Sequence, residues 1–211
     1  MIIKVCGMRE DENIRAVERL DIDWMGFIFY PRSPRYVPDE KRYVDSIRRC
    51  AKKKAGVFVN ADTDGVLRTA ARLQLDYVQL HGNESSDTCR FIQDNGYPVV
   101  KAFSIAAADD LKQAEAYETA VSFFLFDTKC EGYGGSGRQF DWDILNNYQG
   151  NTPFLLSGGI APGSLDDVLQ FHHPLMAGVD LNSGFETATA MKNTVELQQF
   201  VAGIRRINHL K

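Results

Sequence analysis

Eight short runs rich in β-branched and aromatic residues recur along the chain, and this repetition constrains the fold more strongly than any other feature. The runs start about 20 to 30 residues apart, which is the length of one βα unit. Most of them are continuously apolar, as expected for parallel strands that helices cover. The predicted strands are 2–6, 24–29, 56–60, 75–80, 98–103, 122–127, 153–157 and 176–181.

The segments between these runs have the apolar spacing of amphipathic helices. Capping candidates Asp62 and Thr63 precede one such segment, and acidic stretches at 38–40 and 83–87 resemble the first turns of two more. Three segments place apolar residues three or four positions apart: Ile14, Val17 and Leu20; Val66, Ala70 and Leu73; Leu197, Val201 and Ile204.

Strands and helices that alternate eight times predict an α/β fold of the (β/α)8 (TIM) barrel type. The alternative is an open, doubly wound sheet, which commonly has five or six strands, so the eighth unit favours the closed barrel. The 211 residues are close to the lower limit of about 200 for such a barrel. No linker or change of composition divides the chain, and we expect a single domain over residues 1–211.

Composition excludes several classes of protein. With 44% hydrophobic and 25% charged residues, the chain is predicted to be globular rather than disordered. A net charge of −4 offers no general attraction to nucleic acid, and we interpret the basic run 48–54 as a solvated helix end. The N-terminal run lacks the pattern of a signal peptide, and no apolar stretch approaches the roughly 20 residues of a membrane span.

Four scattered cysteines indicate a reducing compartment, so we expect a cytoplasmic protein with free thiols. They form no C-x-x-C pair and no zinc-ligand spacing with histidine, and no metal site is predicted. Cys50 and Cys89 lie in predicted helices and are interpreted as small buried side chains, whereas Cys130 lies in a predicted loop and receives no role.

Polar residues and glycines follow nearly every predicted strand, at the end where barrel enzymes keep their chemistry. After the last two strands these residues form glycine-containing turns, whose backbone N–H groups are able to approach an anion closely. A tight turn alone would also explain glycine. Because barrels often bind phosphate after strands seven and eight, the pair of turns favours a phosphorylated substrate. The candidate phosphate-binding residues are Gly158, Gly159, Asp180, Asn182, Ser183 and Gly184.

Cys6 and Asp127 are the candidate catalytic residues. Cys6 closes the first predicted strand, where a thiolate would serve as base or nucleophile, although most free cysteines are only packing residues. Asp127 ends an apolar run, and a carboxyl there is costly to ionise, which favours a role as an acid. A helix cap or an ion pair with Lys129 is the alternative for Asp127, and the sequence does not decide between them.

Two further candidates are predicted to contact the substrate. Arg35, in the proline-stiffened loop after the second strand, has the forked guanidinium that binds a carboxylate, with Arg32 as the alternative. His81 follows the fourth strand and is expected to face the same mouth of the barrel.

A set of motifs along the whole chain resembles the phosphoribosylanthranilate isomerase family. They include Lys4-Val5-Cys6-Gly7-Met8, Gly26-Phe27-Ile28-Phe29-Tyr30-Pro31, Ser33-Pro34-Arg35-Tyr36, Gly56-Val57-Phe58-Val59-Asn60, Val78-Gln79-Leu80-His81-Gly82, Asp127-Thr128-Lys129, Gly134-Gly135-Ser136-Gly137, Phe140-Asp141-Trp142, Leu156-Ser157-Gly158-Gly159 and Gly178-Val179-Asp180. Their common order over the chain makes the resemblance specific.

The resemblance implies an enzyme of tryptophan biosynthesis that converts N-(5-phosphoribosyl)anthranilate to 1-(2-carboxyphenylamino)-1-deoxyribulose 5-phosphate. By position, Cys6 matches the general base of the family and Asp127 its general acid. Arg35 matches the residue that holds the anthranilate carboxylate, and Gln79 and His81 would line the substrate pocket. No cofactor is implied, and the only partner is the phosphosugar substrate. The sequence leaves open a monomer or a homodimer.

Two positions depart from the family pattern. Asn182 replaces a common serine, and 187–193 lacks the usual Pro-Gly. The rivals are a related phosphosugar isomerase and a non-catalytic phosphate-binding barrel. The first carries aspartate in place of Cys6, and the second does not need Cys6 and Asp127 together.

Overall fold

Eight parallel strands close into a barrel in the computed structural model, which describes residues 1–128 and 142–208. Each strand pairs with the next, and the first pairs with the eighth, with Lys4 opposite Asp180. The predicted (β/α)8 barrel is confirmed, and the open sheet was the wrong alternative. The strands are β1 Ile2–Val5, β2 Trp24–Ile28, β3 Lys53–Phe58, β4 Tyr77–Leu80, β5 Val99–Ile105, β6 Phe123–Thr128, β7 Phe154–Ser157 and β8 Met176–Leu181.

Helices surround the barrel, and two of them begin at residues whose side chains cap the helix. The Asp62 side chain accepts the N–H of Gly65 at 2.9 Å, and that of Ser85 accepts the N–H of Thr88 at 3.2 Å. Each bond pairs one of the free N–H groups of a first helical turn. The α-helices are α1 Asp11–Glu18, α2 Lys41–Arg49, α3 Thr63–Leu73, α4 Ser86–Asp94, α5 Leu165–Gln170 and α6 Thr194–Asn208.

The third strand differs most from its predicted bounds, because it begins at Lys53 instead of residue 56. Its two lysines are polar but are paired with Asp76, which immediately precedes β4. Lys53 Nζ donates to Asp76 Oδ1 at 2.8 Å, and the N–H of Lys54 donates to Asp76 Oδ2 at 2.8 Å. The carboxylate therefore allows a hydrophilic strand start that apolar patterning does not detect.

The connection from β5 to β6 is a 3-10 helix, Ala108–Tyr117, instead of an α-helix. Its buried residues Leu111 and Ala114 are three positions apart, which is the period of a 3-10 helix. The Asp110 carboxylate accepts the N–H groups of Ala106 and Ala107 at the start of the segment. A second 3-10 helix, Trp142–Asn147, precedes β7.

Aromatic side chains close one end of the barrel. The rings of Trp24 and Tyr77 stack with their centroids 3.9 Å apart, and Phe123 meets Trp24 edge-on at 5.4 Å. These residues stand at the first positions of β2, β4 and β6 and form one apolar cluster with residues of the other strands. Polar side chains occupy the opposite end, where the strands finish.

A small antiparallel hairpin, β9 Glu186–Ala188 and β10 Met191–Lys192, follows β8. The buried side chain of Asn13 fixes it, since Asn13 Nδ2 donates to the Lys192 carbonyl at 3.0 Å and the Lys192 N–H donates to Asn13 Oδ1 at 2.8 Å. Ala190 adopts a φ of 63°, a conformation that favours glycine. The chain thus makes this turn without the Pro-Gly of the resembled family.

No helix in residues 1–128 and 142–208 is long and apolar enough to cross a membrane.

Candidate active site

A cavity of about 340 Å³ opens at the carboxyl ends of the barrel strands. All the candidate residues except Arg35 line it, including both catalytic candidates and both glycine turns. A larger cavity of about 500 Å³ lies between α2 and α3 and contains none of them. The lining residues of the barrel cavity are Cys6, Ile28, Val57, Gln79, His81, Asp127, Ser157, Gly158, Gly159, Ile160, Asp180, Asn182, Ser183 and Gly184.

Cys6 lies directly after β1 and is buried, with its backbone N–H bonded to the Leu181 carbonyl at 2.8 Å. Two residues earlier on the same face of β1, Lys4 extends its ammonium group to Asp180, with Nζ 2.8 Å from Oδ1. Both members of this ion pair are buried. Burial raises the pKa of the Cys6 thiol, while the positive charge of Lys4 lowers it and the negative charge of Asp180 raises it. Burial has the largest effect, so the pKa of Cys6 is raised overall.

Gln79, His81 and Asp127 form a chain across the cavity. Gln79 Nε2 donates to Nδ1 of His81 at 3.2 Å, so Nε2 of His81 carries the proton and lies 3.6 Å from Asp127 Oδ2. His81 therefore presents its Nε2–H toward Asp127, while the side-chain oxygen of Gln79 is buried without a partner among the described residues.

Asp127 is less buried than the apolar run before it predicts. Its side chain is 36% exposed at the mouth of the barrel, so the desolvation on which its expected acid role was based is small. Asp127 lies next to His81 and lines the same cavity as Cys6. Lys129, the alternative partner of Asp127, lies outside the described residues, as do Cys130, 134–137 and 140–141.

The turn after β7 has the geometry of an anion site. Gly158 and Gly159 have φ values of 90° and 67°, which L-residues rarely adopt. Within residues 1–128 and 142–208, the N–H groups of Gly158, Gly159 and Ser183 make no hydrogen bond. The carboxylate of Asp180, predicted as part of this site, is bound by the Lys4 ammonium group instead.

Arg35 lies beside the cavity, while Arg32 is exposed. The Arg35 guanidinium donates to Glu186 from Nε at 2.8 Å and from Nη2 at 2.5 Å. Lys192 Nζ donates to the same carboxylate at 2.8 Å and to Asn182 Oδ1 at 2.8 Å. Glu186 and Lys192 were not among the residues predicted from the sequence. Both are charged residues at the ends of the hairpin, which marks them as candidates, but the sequence does not show which side chain they contact.

Burial acts to raise the pKa of Glu186, but hydrogen bonds from Arg35 and Lys192 outweigh it and lower the pKa. Burial lowers the pKa of Lys192, partly offset by its bond to Glu186. The bond to Glu186 raises the pKa of Arg35. The three side chains therefore form one hydrogen-bonded, mutually dependent cluster beside Cys6.

The cysteines on the helical side are inert packing residues, as predicted. Cys50 and Cys89 are buried free thiols. Burial raises the pKa of Cys50, and it raises that of Cys89 to about 11, so neither is a reactive thiolate. In the part of the chain that the structure describes, no cluster of His, Cys, Asp and Glu is arranged to hold a metal ion.

Comparisons with known proteins agree with this geometry. The family model "N-(5'phosphoribosyl)anthranilate (PRA) isomerase" matches residues 3–203. The N-(5'-phosphoribosyl)anthranilate isomerase of Parabacteroides distasonis is 52% identical over 207 residues, which cover 97% of this chain and 93% of that protein.

Solved structures match over the same length. The phosphoribosyl anthranilate isomerase of Thermotoga maritima superposes with a TM-score of 0.82 at 30% identity, covering 98% of this chain and 100% of that one. A phosphoribosyl anthranilate isomerase in complex with reduced 1-(o-carboxyphenylamino)-1-deoxyribulose 5-phosphate gives 0.80 at 27% identity, with coverage of 98% and 100%. The chain belongs to the N-(5'-phosphoribosyl)anthranilate isomerase family.

Proposed function

We propose that the barrel cavity converts N-(5-phosphoribosyl)anthranilate to 1-(2-carboxyphenylamino)-1-deoxyribulose 5-phosphate, with Asp127 as acid and Cys6 as base. This aldose–ketose isomerisation, a step of tryptophan biosynthesis, is the activity of the family to which the chain belongs. The observation that supports these roles is the placement of a thiol and a carboxyl in one cavity with a pair of glycine turns. A simple phosphate-binding barrel would need only the turns.

Asp127 opens the sugar ring in the first step. It donates its proton to the furanose oxygen, the bond from C1′ to that oxygen breaks, and the anilino nitrogen supplies the electron pair that forms the iminium ion. The carboxylate left on Asp127 faces the protonated Nε2 of His81 at 3.6 Å. This neighbour would stabilise the new negative charge as it forms.

Cys6 then removes the C2′ proton. Burial raises the pKa of the Cys6 thiol, so the thiolate needs additional positive charge near it. The iminium ion supplies that charge, and the ammonium group of Lys4 adds to it. The electrons of the broken C–H bond form an enolamine, which tautomerises to the ketone. The substrate itself is the electron sink, so this chemistry needs no cofactor.

The two anionic ends of the substrate would bind on different sides of the cavity. The free N–H groups of Gly158, Gly159 and Ser183, with Asn182 and Gly184, are suited to the phosphate. Arg35 lies near Cys6 and is suited to the anthranilate carboxylate. Gln79 and His81 would contact the ribose between them.

We further propose that the chain acts in the cytoplasm as one domain, as a monomer or a homodimer. A net charge of −4 gives no reason to expect a nucleic-acid partner. Light scattering of the purified protein distinguishes the two oligomeric states.

The deciding experiment is turnover of N-(5-phosphoribosyl)anthranilate by the purified protein, together with growth of a bacterial strain that lacks only this isomerase. Conversion and growth without tryptophan are expected. A well-folded protein that binds phosphate but fails in both would refute the proposal. Turnover of a different aldose phosphate would then indicate a related phosphosugar isomerase, and no turnover would indicate a binding protein.

A further inference from the structure

Glu186 binds only one side of the Arg35 guanidinium. Its two oxygens take the Nε and Nη2 donors at 2.8 and 2.5 Å. The Nη1 group makes no hydrogen bond within residues 1–128 and 142–208. A guanidinium carries five N–H donors, so the edge formed by Nη1 and the second hydrogen of Nη2 is left for another carboxylate. Glu186 therefore fixes Arg35 and still leaves part of its guanidinium available to bind a ligand.

Glycine at position 7 allows Arg35 to approach the cavity. Gly7 has a φ of 77°, and a Cβ atom built on it would lie 2.6 Å from both Arg35 Cδ and Asn182 Oδ1. The Arg35 side chain thus passes directly over the residue that follows Cys6. From there its free edge is within reach of a ligand bound over the thiol.

Lys192 determines the charge of the cluster. Its side chain is fully buried, and Nζ bonds both the Glu186 carboxylate and the Asn182 side chain at 2.8 Å. Two cations and one anion give the cluster a formal charge of +1. A substrate carboxylate would bring the sum to zero. Without Lys192, the negative charge of Glu186 would oppose that second carboxylate.

We propose that Glu186 is a positioning residue that fixes Arg35 with its free edge toward a substrate carboxylate, and that Lys192 offsets the charge of Glu186 so that the carboxylate is accepted. The cluster then selects substrates that carry an aromatic carboxylate. The identity of that carboxylate rests on the proposed function. Its position beside Asn182 links the carboxylate end of the site to the phosphate end.

Binding of a stable ligand pair tests this inference. One ligand is reduced 1-(2-carboxyphenylamino)-1-deoxyribulose 5-phosphate, and the other is the same compound without the carboxylate. In Glu186→Gln the affinity for the first is expected to fall about tenfold, the equivalent of one charge-assisted hydrogen bond. The affinity for the second stays within about twofold, because its binding does not use Arg35. Isothermal calorimetry measures both.

The Arg35→Ala background separates positioning from a structural role. If Glu186 acts through Arg35, the Glu186→Gln change has no further effect on affinity once Arg35 is absent. Lys192→Met is expected to lower the affinity for the ligand with the carboxylate more than the affinity for the analogue without it. Glu40→Gln removes the partner of Arg42 in an exposed Glu–Arg pair and is the matched control; it leaves both affinities unchanged.

Equal losses for the two ligands, or a Glu186→Gln effect that persists without Arg35, would overturn the inference. Kinetics give a second readout: KM for N-(5-phosphoribosyl)anthranilate rises in Glu186→Gln while kcat changes little. Failure of the proposed function would look different, because the wild-type protein would then show no turnover although the ligand pair still reports on the cluster.

Discussion

Lys4 and Asp180 face each other from neighbouring strands inside the barrel, with Nζ 2.8 Å from Oδ1, on the same face of the strand as Cys6. Removing Lys4 alone would leave a buried, unpaired carboxylate and cost about 3–5 kcal/mol of folding stability. The influence of this ion pair on the thiol is therefore best tested by removing both charges at once.

In Lys4→Met/Asp180→Asn we expect the pKa of Cys6 to rise further. Lys4 lowers that pKa more than Asp180 raises it. When both charges are lost, the upward effect of burial on the pKa is therefore offset less. Lys192 and Arg35 also face the thiol and are unchanged. The rate of alkylation by iodoacetamide, followed against pH, should move to higher pH, with Cys6→Ser giving the background. A shift to lower pH would mean that the pair does not promote the thiolate.

Cys6→Ala and Asp127→Asn are each expected to remove turnover while the barrel stays folded. Loss of a general acid or base commonly reduces the rate by about 10²–10⁴-fold. Competition by inorganic phosphate should be unchanged, because the glycine turns are untouched. The measurements are kcat, circular dichroism and the phosphate inhibition constant. Full activity of either variant would remove that residue from its assigned role.

Arg35→Ala should weaken substrate binding by about 2 kcal/mol, the usual value of hydrogen bonds to a charged group. KM is expected to rise with a smaller change in kcat, since Arg35 does not touch the atoms that react. An unchanged KM and kcat would exclude Arg35 from the site. Arg32→Ala is the control, because Arg32 is exposed.

Gln74→Gly should stabilise the fold by ~0.5–1 kcal/mol, because Gln74 ends α3 with a φ of 54°, where glycine has no Cβ strain. The complementary change, Gly96→Ala, places a side chain at a φ of 90° and should destabilise by a similar ~1 kcal/mol. Urea denaturation measures both. If both variants changed the free energy of unfolding in the same direction, the positive φ of Gln74 and Gly96 would not be what determines their stability.

The fold was predictable where one side-chain property decided the structure. Continuous apolar runs identified every barrel strand, and the predicted cap Asp62 and the predicted helix start at 83–87 lie where α3 and α4 begin. The 3-10 connection Ala108–Tyr117 was not predicted, because a few buried residues three apart give no amphipathic period. The start of β3 depends on Asp76, a residue more than twenty positions later.

The site was predictable only in part. Cys6, Asp127 and the glycine turns follow strands, and strand order alone brings them to one mouth. Glu186 is 151 positions from Arg35, so no local pattern pairs them. Lys4 did offer a signal, because a lysine within a strand that is covered on both faces must find a buried anion.

The aromatic floor made by Trp24, Tyr77 and Phe123 turns the barrel into a cup with one opening. Substrate, product and water must share that single route, so product has to leave before the next substrate molecule is able to enter. Product that lingers in the mouth will therefore compete with fresh substrate.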